Sequence, residues 1–505
     1  MNTSLSERSL SALIWNVLAS AGKLAAQFLL QIVLARLLGP DVYGQYALVL
    51  VVIGMGWLLA DAGMGSALIQ KSEIHAGDIA QALGWLMLTS SLAALTLAWG
   101  AAPLSLWLGQ PALAGVIRCC GPIIVLQALS NLSSSLMQRK LQMKRLQLLQ
   151  LAAYVVGYGG VAVTLALRGA GIWSLVSGFA VQTLIVFIGA WLSVRHSWRM
   201  RWRGDGALTR FGLNVLGVNL SNWGIDNLDR VLIGRIWGGA SLGAYAAASN
   251  LSRAPVNLIL QSLQSVVFAS AARVQEDRSR LVRGFCAVNA LVLLMCLPVA
   301  TMLWVHADGL IRLLYGAAWQ ESAALFRAFS CALPFYIMLG VNGPLLWAVG
   351  AVHKELMVQL VTVAALLAAL LTLAEYPLAL AVWCVPFIFA LRSLWLCGLI
   401  TRQLALPGGV WLGLMRGGLS LSAGVALIGE AMAPLYNQTL VSQHGWVLLG
   451  FVGQCLWCLV ALRSAPQWLL GPVLAPWLLE MGHRSPYARR FCRFLNLAPA
   501  ERTMT

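Results

Sequence analysis

Broken only by short polar junctions, the chain uses one element from end to end: an apolar run of about twenty residues, the length that carries an α-helix across a bilayer. About fourteen such runs can be marked, over 11–35, 43–68, 79–100, 112–136, 146–167, 171–194, 208–234, 241–270, 284–305, 322–349, 356–375, 378–401, 411–433 and 446–462. In lipid each backbone N–H and C=O must be satisfied within its own segment, so runs this long fold as helices. An all-α polytopic membrane protein of about 14 transmembrane helices follows. Only 10% of residues are charged, against roughly a quarter in soluble domains, and the mean hydropathy is +0.79. No ordinary soluble fold fits.

The net charge of +17 is not a nucleic-acid footprint, because the basic residues sit in short clusters between apolar runs. With the N-terminus in the cytoplasm, the loops on that side hold Arg139, Lys140, Lys144 and Arg145, then Arg195, Arg199, Arg201 and Arg203, then Arg273, Arg278, Arg280 and Arg283. The opposite loops hold only Arg36, Arg168, Arg235 and Arg312. The positive-inside rule therefore places both termini in the cytoplasm. The N-terminal segment lacks a small-residue cleavage site and is not expected to be a removable signal peptide. After Arg463, a stretch WLLGPVLAPWLLEM followed by Arg484, Arg489, Arg490 and Arg493 has the make-up of a membrane-surface segment. The 10 cysteines are scattered without metal-ligand spacing and read as small core residues.

One junction occurs twice. Residues 36–47 read RLLGPDVYGQYA and residues 235–246 read RIWGGASLGAYA, the same pattern R-x-x-G-x-x-x-x-G-x-Y-A after 199 positions. An offset of six helices is even, so both copies face the same way, and the chain reads as two six-helix lobes in a pseudo-twofold arrangement plus two extra C-terminal helices. The expected boundaries are 1–205 and 206–405 for the lobes, 406–465 for helices 13 and 14, and 466–505 for a basic cytoplasmic tail. Arg36, Arg235 and the glycines after them are expected to cap helix ends and shape tight turns.

The first helix of each lobe carries a polar stripe. Asn16, Ser20, Lys23, Gln27 and Gln31 recur at spacings of three and four, as do Asn219, Asn222, Asp226, Asp229 and Arg230. The next helices add Asp61 and Arg253, the latter followed by Asn257, Gln261 and Gln264. Facing lipid, such groups cost several kcal/mol each, so the stripes face protein or water. Two readings of them stay open. Asn, Gln and Ser between membrane helices often only bond neighbouring helices, and Asp226 with Arg230 makes an i, i+4 ion pair. Lys23 and Arg253, near mid-span with no acid one turn away, are candidates for substrate contact. Asp61, Asp226 and Asp229 are counter-ions for them or sites for a coupling H⁺ or Na⁺. Arg118, Arg327 and Arg392 are placed near span ends, where they snorkel. Pro255, Pro298, Pro334, Pro344 and Pro386 are expected to bend or break their helices. No Walker loop, zincin motif or nucleophile elbow is present, so no cofactor is expected and transport draws on an ion or substrate gradient.

The runs LARLLGPDVYGQYALVLVVIGMGWLLADAGMGSALIQKSEI, QRKLQMKR, GAGIWSLVSG, FGLNVLGVNLSNWGIDNLDRVLIGRIWGGASLGAYAAASNLSRAPV and IRLLYGAAW resemble bacterial polysaccharide biosynthesis flippases of the multidrug/oligosaccharidyl-lipid/polysaccharide exporter superfamily. The resemblance covers about residues 5 to 400. It implies two lobes around a central cavity in the bacterial inner membrane, alternating access, and translocation of undecaprenyl-diphosphate-linked oligosaccharide repeat units from cytoplasm to periplasm. It also implies a groove for the polyprenyl tail formed with helices 13 and 14, and a polysaccharide polymerase and glycosyltransferases as pathway partners. On that reading Lys23 and Arg253 meet the diphosphate, and Asn219, Asn222, Gln27 and Asn16 meet sugars or water. Asp61, Asp226, Asp229 and Arg230 balance charge or couple an ion. A drug/cation antiporter or a peptidoglycan-precursor flippase of the same fold is the nearest alternative. A membrane polymerase or ligase would need a sizeable periplasmic loop, which this chain lacks.

Overall fold

The computed structural model describes residues 5–71, 73–202, 206–253, 277–348, 352–407, 409–432, 443–484 and 486–497. Among them there is no strand. The helices are α1 (Leu5–Asp61), α2 (Met64–Gln70), α3 (Ala76–Trp107), α4 (Ala114–Arg139), α5 (Met143–Tyr154), α6 (Val163–Leu167), α7 (Ile172–Val194), α8 (Gly206–Ile236) and α9, described over 238–253. They continue as α10 (Arg278–Val305), α11 (Ala307–Leu314), α12 (Gln320–Ala348), α13 (Val352–Thr372), α14 (Leu378–Ala381), α15 (Cys384–Gln403), α16 (Val410–Met432), α17 (Gln443–Ser464), α18 (Pro466–Arg484) and α19 (Pro486–Phe494). Eleven helices among the described residues are long and apolar enough to cross a membrane. The first two apolar runs share α1, and α8 is 31 residues long. Contacts divide the chain into two compact units, Met1–Ala246 and Ala247–Thr505.

Within the first unit, α1 is 57 residues long, roughly twice what a bilayer needs at 1.5 Å per residue, and it breaks at Gly39. Gly39 sits at φ 75°, ψ 173°, a region open essentially only to glycine. Pro40 follows at the first position of the new helical segment, where its missing N–H costs nothing. Gly238, the same position in the second copy of the junction, also has positive φ, 86°. The first glycine of the pattern is thus explained by backbone conformation.

The second glycine has a different reason. A Cβ on Gly44 would overlap the carbonyl oxygen of Gly239 and the amide of Gly243, and a Cβ on Gly243 would overlap the carbonyl of Pro40 and the amide of Gly44. Position nine of each junction therefore abuts positions five and nine of the other, the reciprocal contact of a local twofold. The second half of α1 and α8 then run antiparallel: Leu48 lies against Gly234, Gly54 against Trp223 and Gly63 against Gly212. Arg235 spends its guanidinium on another helix, donating to the Trp107 carbonyl at the end of α3 and covering the Trp107 ring at 5.2 Å. Arg139 of α4 does the same for α2, donating to the carbonyls of Leu68, Ile69 and Lys71. Cations at helix C-termini meet the orphan carbonyls and the negative end of the dipole.

Between α5 and α6 the chain winds as a π-helix over Val155–Ala162. A Cβ on Gly157 would meet the Gly178 carbonyl of α7 at 2.5 Å, so this segment packs backbone to backbone. It presents Tyr158, whose hydroxyl lies 2.5 Å from that of Tyr46 in α1 and whose ring stacks on Tyr154 at 4.6 Å.

In the second unit α10 packs on α12 and α16, and α15 packs on α12 and α13. Leu293, Leu346, Val358, Leu396, Ile400 and Leu421 form its core. Gly418 brings α16 onto the α10 backbone at Leu293, and Gly417 brings it onto α18 at Leu469. The segment after Arg463 joins this core: Leu470, Leu474, Leu478, Cys492 and Leu495 are buried in it, and Arg416 stacks on Trp468 at 4.1 Å. The prolines do not interrupt their helices, since α10 runs through Pro298 and α12 through Pro334 and Pro344. Non-helical backbone inside helices falls instead at Gly39 and Gly471. Pro255 lies outside the described residues.

Outside the spans, two buried histidines hold loops in place. His196 meets Ser133 Oγ at 3.0 Å, and His306 meets Gln454 Oε1 at 3.0 Å. Burial holds both imidazoles below their ordinary pKa. The unfolded chain therefore binds these protons first as pH drops through about 6.5, and stability falls from there until the folded rings also protonate. Thermal unfolding in detergent should show Tm declining from pH 7 to 5, and a His196→Gln/His306→Gln variant should flatten that decline. The same assay tests the junction: Gly44→Ala or Gly243→Ala should cost on the order of 1–3 kcal/mol through overpacking. Gly100→Ala, with nothing within 4 Å of its Cβ position, should leave Tm unchanged or raised.

Candidate functional site

The stripe on α8 is the best-defined polar surface in the first unit. Asn219 is half-buried, Asn222 and Asp226 are exposed, Arg230 is half-buried and Asp229 is buried. An exposed Asp with an exposed Asn one turn before it, on a helix of membrane length, cannot face hydrocarbon without a cost of several kcal/mol. That face meets water. On α1, Gln27 is half-buried and its backbone carbonyl lies 3.5 Å from the Tyr154 hydroxyl. Asn16 and Lys23 fall on the same helix, but their side chains lie outside the described part of the structure.

Two of the acids have dedicated partners. Asp229 accepts from the Tyr245 hydroxyl at 2.6 Å and from the Arg230 backbone N–H at 2.8 Å. Tyr245 is the tyrosine of the second junction, and its counterpart Tyr46 is likewise buried and bonded through its hydroxyl, to Tyr158. Asp61 is buried, accepts from Asn131 Nδ2 at 2.6 Å and meets the N–H groups of Gly63 and Gly65. It fixes the turn between α1 and α2, where Ala62 and Gly63 both have positive φ. Asp226 is the most exposed carboxylate of the set.

In the second unit, Arg253 places its guanidinium 5.5 Å from the centre of the Tyr336 ring on α12, a cation–π contact. Asn257, Gln261 and Gln264, which continue its helix in sequence, lie outside the described residues. Arg392 corrects the expectation that it snorkels from a span end. It sits eight residues after Cys384 and eleven before Gln403, half-buried in the middle of α15 and within electrostatic reach of the Glu355 carboxylate. Arg118, exposed in the first turns of α4, does lie near a helix end, and Arg327 of α12 pairs with Asp308 of α11. Asn131, Tyr245, Tyr336 and Glu355 were not singled out by sequence. Their signal is a partner 16 to 83 residues away, which no local spacing carries. No group of three or more metal-ligating side chains occurs among the described residues.

The fold is that of membrane transporters. The chain superposes on the lipid II flippase MurJ in an inward closed conformation with TM-score 0.70, over 88% of this chain and 97% of that one, at 15% identity. An inward-facing multidrug resistance MATE family transporter of the MOP superfamily gives 0.58, over 76% and 96%, at 14% identity. The sequence resolves the family within that class: the chain belongs to the polysaccharide biosynthesis protein family, whose model matches residues 33–324. It is 27% identical to the succinoglycan biosynthesis transport protein ExoT of Rhizobium meliloti (strain 1021) over 66% of this chain and 70% of the relative. It is 23% identical to the lipopolysaccharide biosynthesis protein WzxC of Escherichia coli (strain K12), over 63% and 65%. With the teichuronic acid biosynthesis protein TuaB of Bacillus subtilis (strain 168) it shares 22% identity, over 58% and 61%. The chain thus spans just under two thirds of the latter two. It is a bacterial membrane protein of the transporter class.

The Asp229–Tyr245 pair gives a test of what is architecture here. Tyr245→Phe leaves a buried carboxylate short of a donor and should cost about 1–3 kcal/mol. Lower Tm in detergent with transport retained by the folded fraction is the expected result.

Proposed function

We propose that this protein flips a lipid-linked oligosaccharide repeat unit, carried on undecaprenyl diphosphate, from the cytoplasmic to the periplasmic leaflet of the bacterial inner membrane, for surface polysaccharide assembly. The observation that carries the reading is the water-facing stripe of Asn219, Asn222 and Asp226 on a membrane helix of a polysaccharide biosynthesis protein. A polyprenyl chain travels in lipid, and only its head group needs such a path. A diphosphate crossing a low-dielectric layer requires compensating cations, and Lys23 and Arg253 are the candidates. Asn16, Gln27, Asn219 and Asn222 are assigned to sugars and water.

Of the acids, Asp226 with Arg230 is the preferred place for charge balance or for a coupling H⁺ or Na⁺, because Asp226 is exposed whereas Asp61 and Asp229 are buried. The duplication supports alternating access between lobes 1–205 and 206–405. Residues 406–465 serve the lipid tail, and 466–505 lie on the cytoplasmic side with the N-terminus. Glycosyltransferases and a polymerase of the same pathway are the expected partners. A peptidoglycan-precursor flippase is the second reading, favoured by the shared fold with MurJ.

Lys23→Ala and Arg253→Ala each remove a charge-assisted contact worth roughly 1.5–3 kcal/mol, about ten- to a hundredfold in affinity. In a strain dependent on this protein for its polymer, each should abolish surface polysaccharide at unchanged protein level. Full polymer from both variants would overturn the assignment. Rescue of a strain lacking its peptidoglycan-precursor flippase would select the second reading.

A further inference from the structure

The middle of the second unit holds a charge cluster that the stripes do not include. Arg253 and Arg392 approach one tyrosine: the Arg253 guanidinium lies 5.5 Å from the Tyr336 ring centre, and Arg392 comes one turn after Phe389, whose ring packs on Tyr336 at a centroid distance of 4.2 Å. Glu355, in the first turn of α13, supplies the negative charge, and its carboxylate rests against Gly343 of α12, where a Cβ would meet Oε1 at 2.8 Å. Three helices and α9 thus bring two positive charges and one negative to a single place.

Arg392 is under-bonded for a member of a structural ion pair. Arg392 forms no ion pair within 4.0 Å among the described residues, and its Nε is buried without an acceptor. Its neighbours on the α12–α15 seam find only sulfur: Asn342 Nδ2 donates to Cys397 Sγ at 3.6 Å and Ser393 Oγ to Met338 Sδ at 3.9 Å. A guanidinium in mid-membrane with an unmet donor is costly unless something else meets it. A fork of planar N–H donors suits phosphate or carboxylate oxygens above other ligands.

We propose that Arg253 and Arg392, which share Tyr336 as a neighbour, form one anion-binding site for a phosphate-class group, in which Glu355 acts as the internal counter-charge that the incoming anion displaces. With Glu355 turned away the site carries two positive charges, the complement of a diphosphate. Arg392 is then a ligand-binding residue, and Glu355 sets the affinity by competing with the ligand. That the anion arrives on a polyprenyl carrier rests on the flippase reading; the site itself does not.

The test is binding to the purified full-length protein in detergent, followed by thermal shift and native mass spectrometry, with undecaprenyl diphosphate and inorganic pyrophosphate as separate ligands. Wild type should bind the lipid, Arg392→Ala should bind it at least about tenfold more weakly, and Arg392→Lys should recover part of the loss. Glu355→Gln should bind it several-fold more tightly. Should Arg392→Ala fail to fold, the direction of the Glu355→Gln change decides. A structural pair predicts lower unliganded Tm for Glu355→Gln with binding unchanged or weaker, and that result overturns the proposal. So does equal binding by wild type and Arg392→Ala, or no binding of either ligand by wild type. Pyrophosphate bound as tightly as the lipid, and lost in Arg392→Ala, keeps the anion site but removes the carrier lipid as its ligand. The flippase reading is judged separately, by the polymer made by Lys23→Ala and Arg253→Ala cells.

Discussion

The absence of two Cβ atoms, at Gly44 and Gly243, is the constraint on which the first unit is built. With no side chain at either position, the two junctions meet backbone to backbone, and each copy contributes the same residues to the contact. From that point the second half of α1 and α8 diverge antiparallel, which fixes the height of every polar residue on α8 relative to α1. The first glycine of each junction turns the chain, and the tyrosine two residues after the second glycine anchors it: Tyr46 on Tyr158, Tyr245 on Asp229. A twelve-residue pattern thereby specifies a turn, a contact and an anchor in each half of the duplication.

The two copies share this frame and differ in what hangs on it. Tyr46 meets a neutral hydroxyl, whereas Tyr245 meets a carboxylate. Gly54, packed against Trp223, occupies the register that Arg253 occupies 199 residues later. Cationic chemistry on the second side is matched by Tyr336, Glu355 and Arg392, all contributed by later helices. Duplication gives a scaffold cheaply, and function requires that its halves cease to be alike.

Much of this was legible in the sequence because membrane helices obey a strong local rule. The apolar runs located the helices, the three-and-four spacing of Asn219, Asn222 and Asp226 identified an exposed face, and the repeated junction marked glycine turns, whose contact with each other the structure adds. What was not legible depends on partners distant in sequence. Asp61 read as a counter-ion or coupling-ion site, and the structure gives it Asn131 as a donor; Arg392 read as peripheral, and it lies in the middle of α15 within electrostatic reach of Glu355. Proline was expected to bend or break helices; the helices continue through Pro298, Pro334 and Pro344, and the breaks fall at Gly39 and Gly471, because only glycine reaches the backbone angles found there.

The π-helix at Val155–Ala162 has an evolutionary consequence. One extra residue inserted into an α-helix would rotate everything beyond it by about 100° and turn a packed face outward. Winding the surplus into a wider turn absorbs the insertion and leaves both ends of the helix in phase with their neighbours. Here the wide turn lies where Gly157 touches Gly178 and Tyr158 reaches Tyr46, so neither contact tolerates rotation. The fifth span of the bundle can change length without changing its alignment, a freedom its straight neighbours do not have.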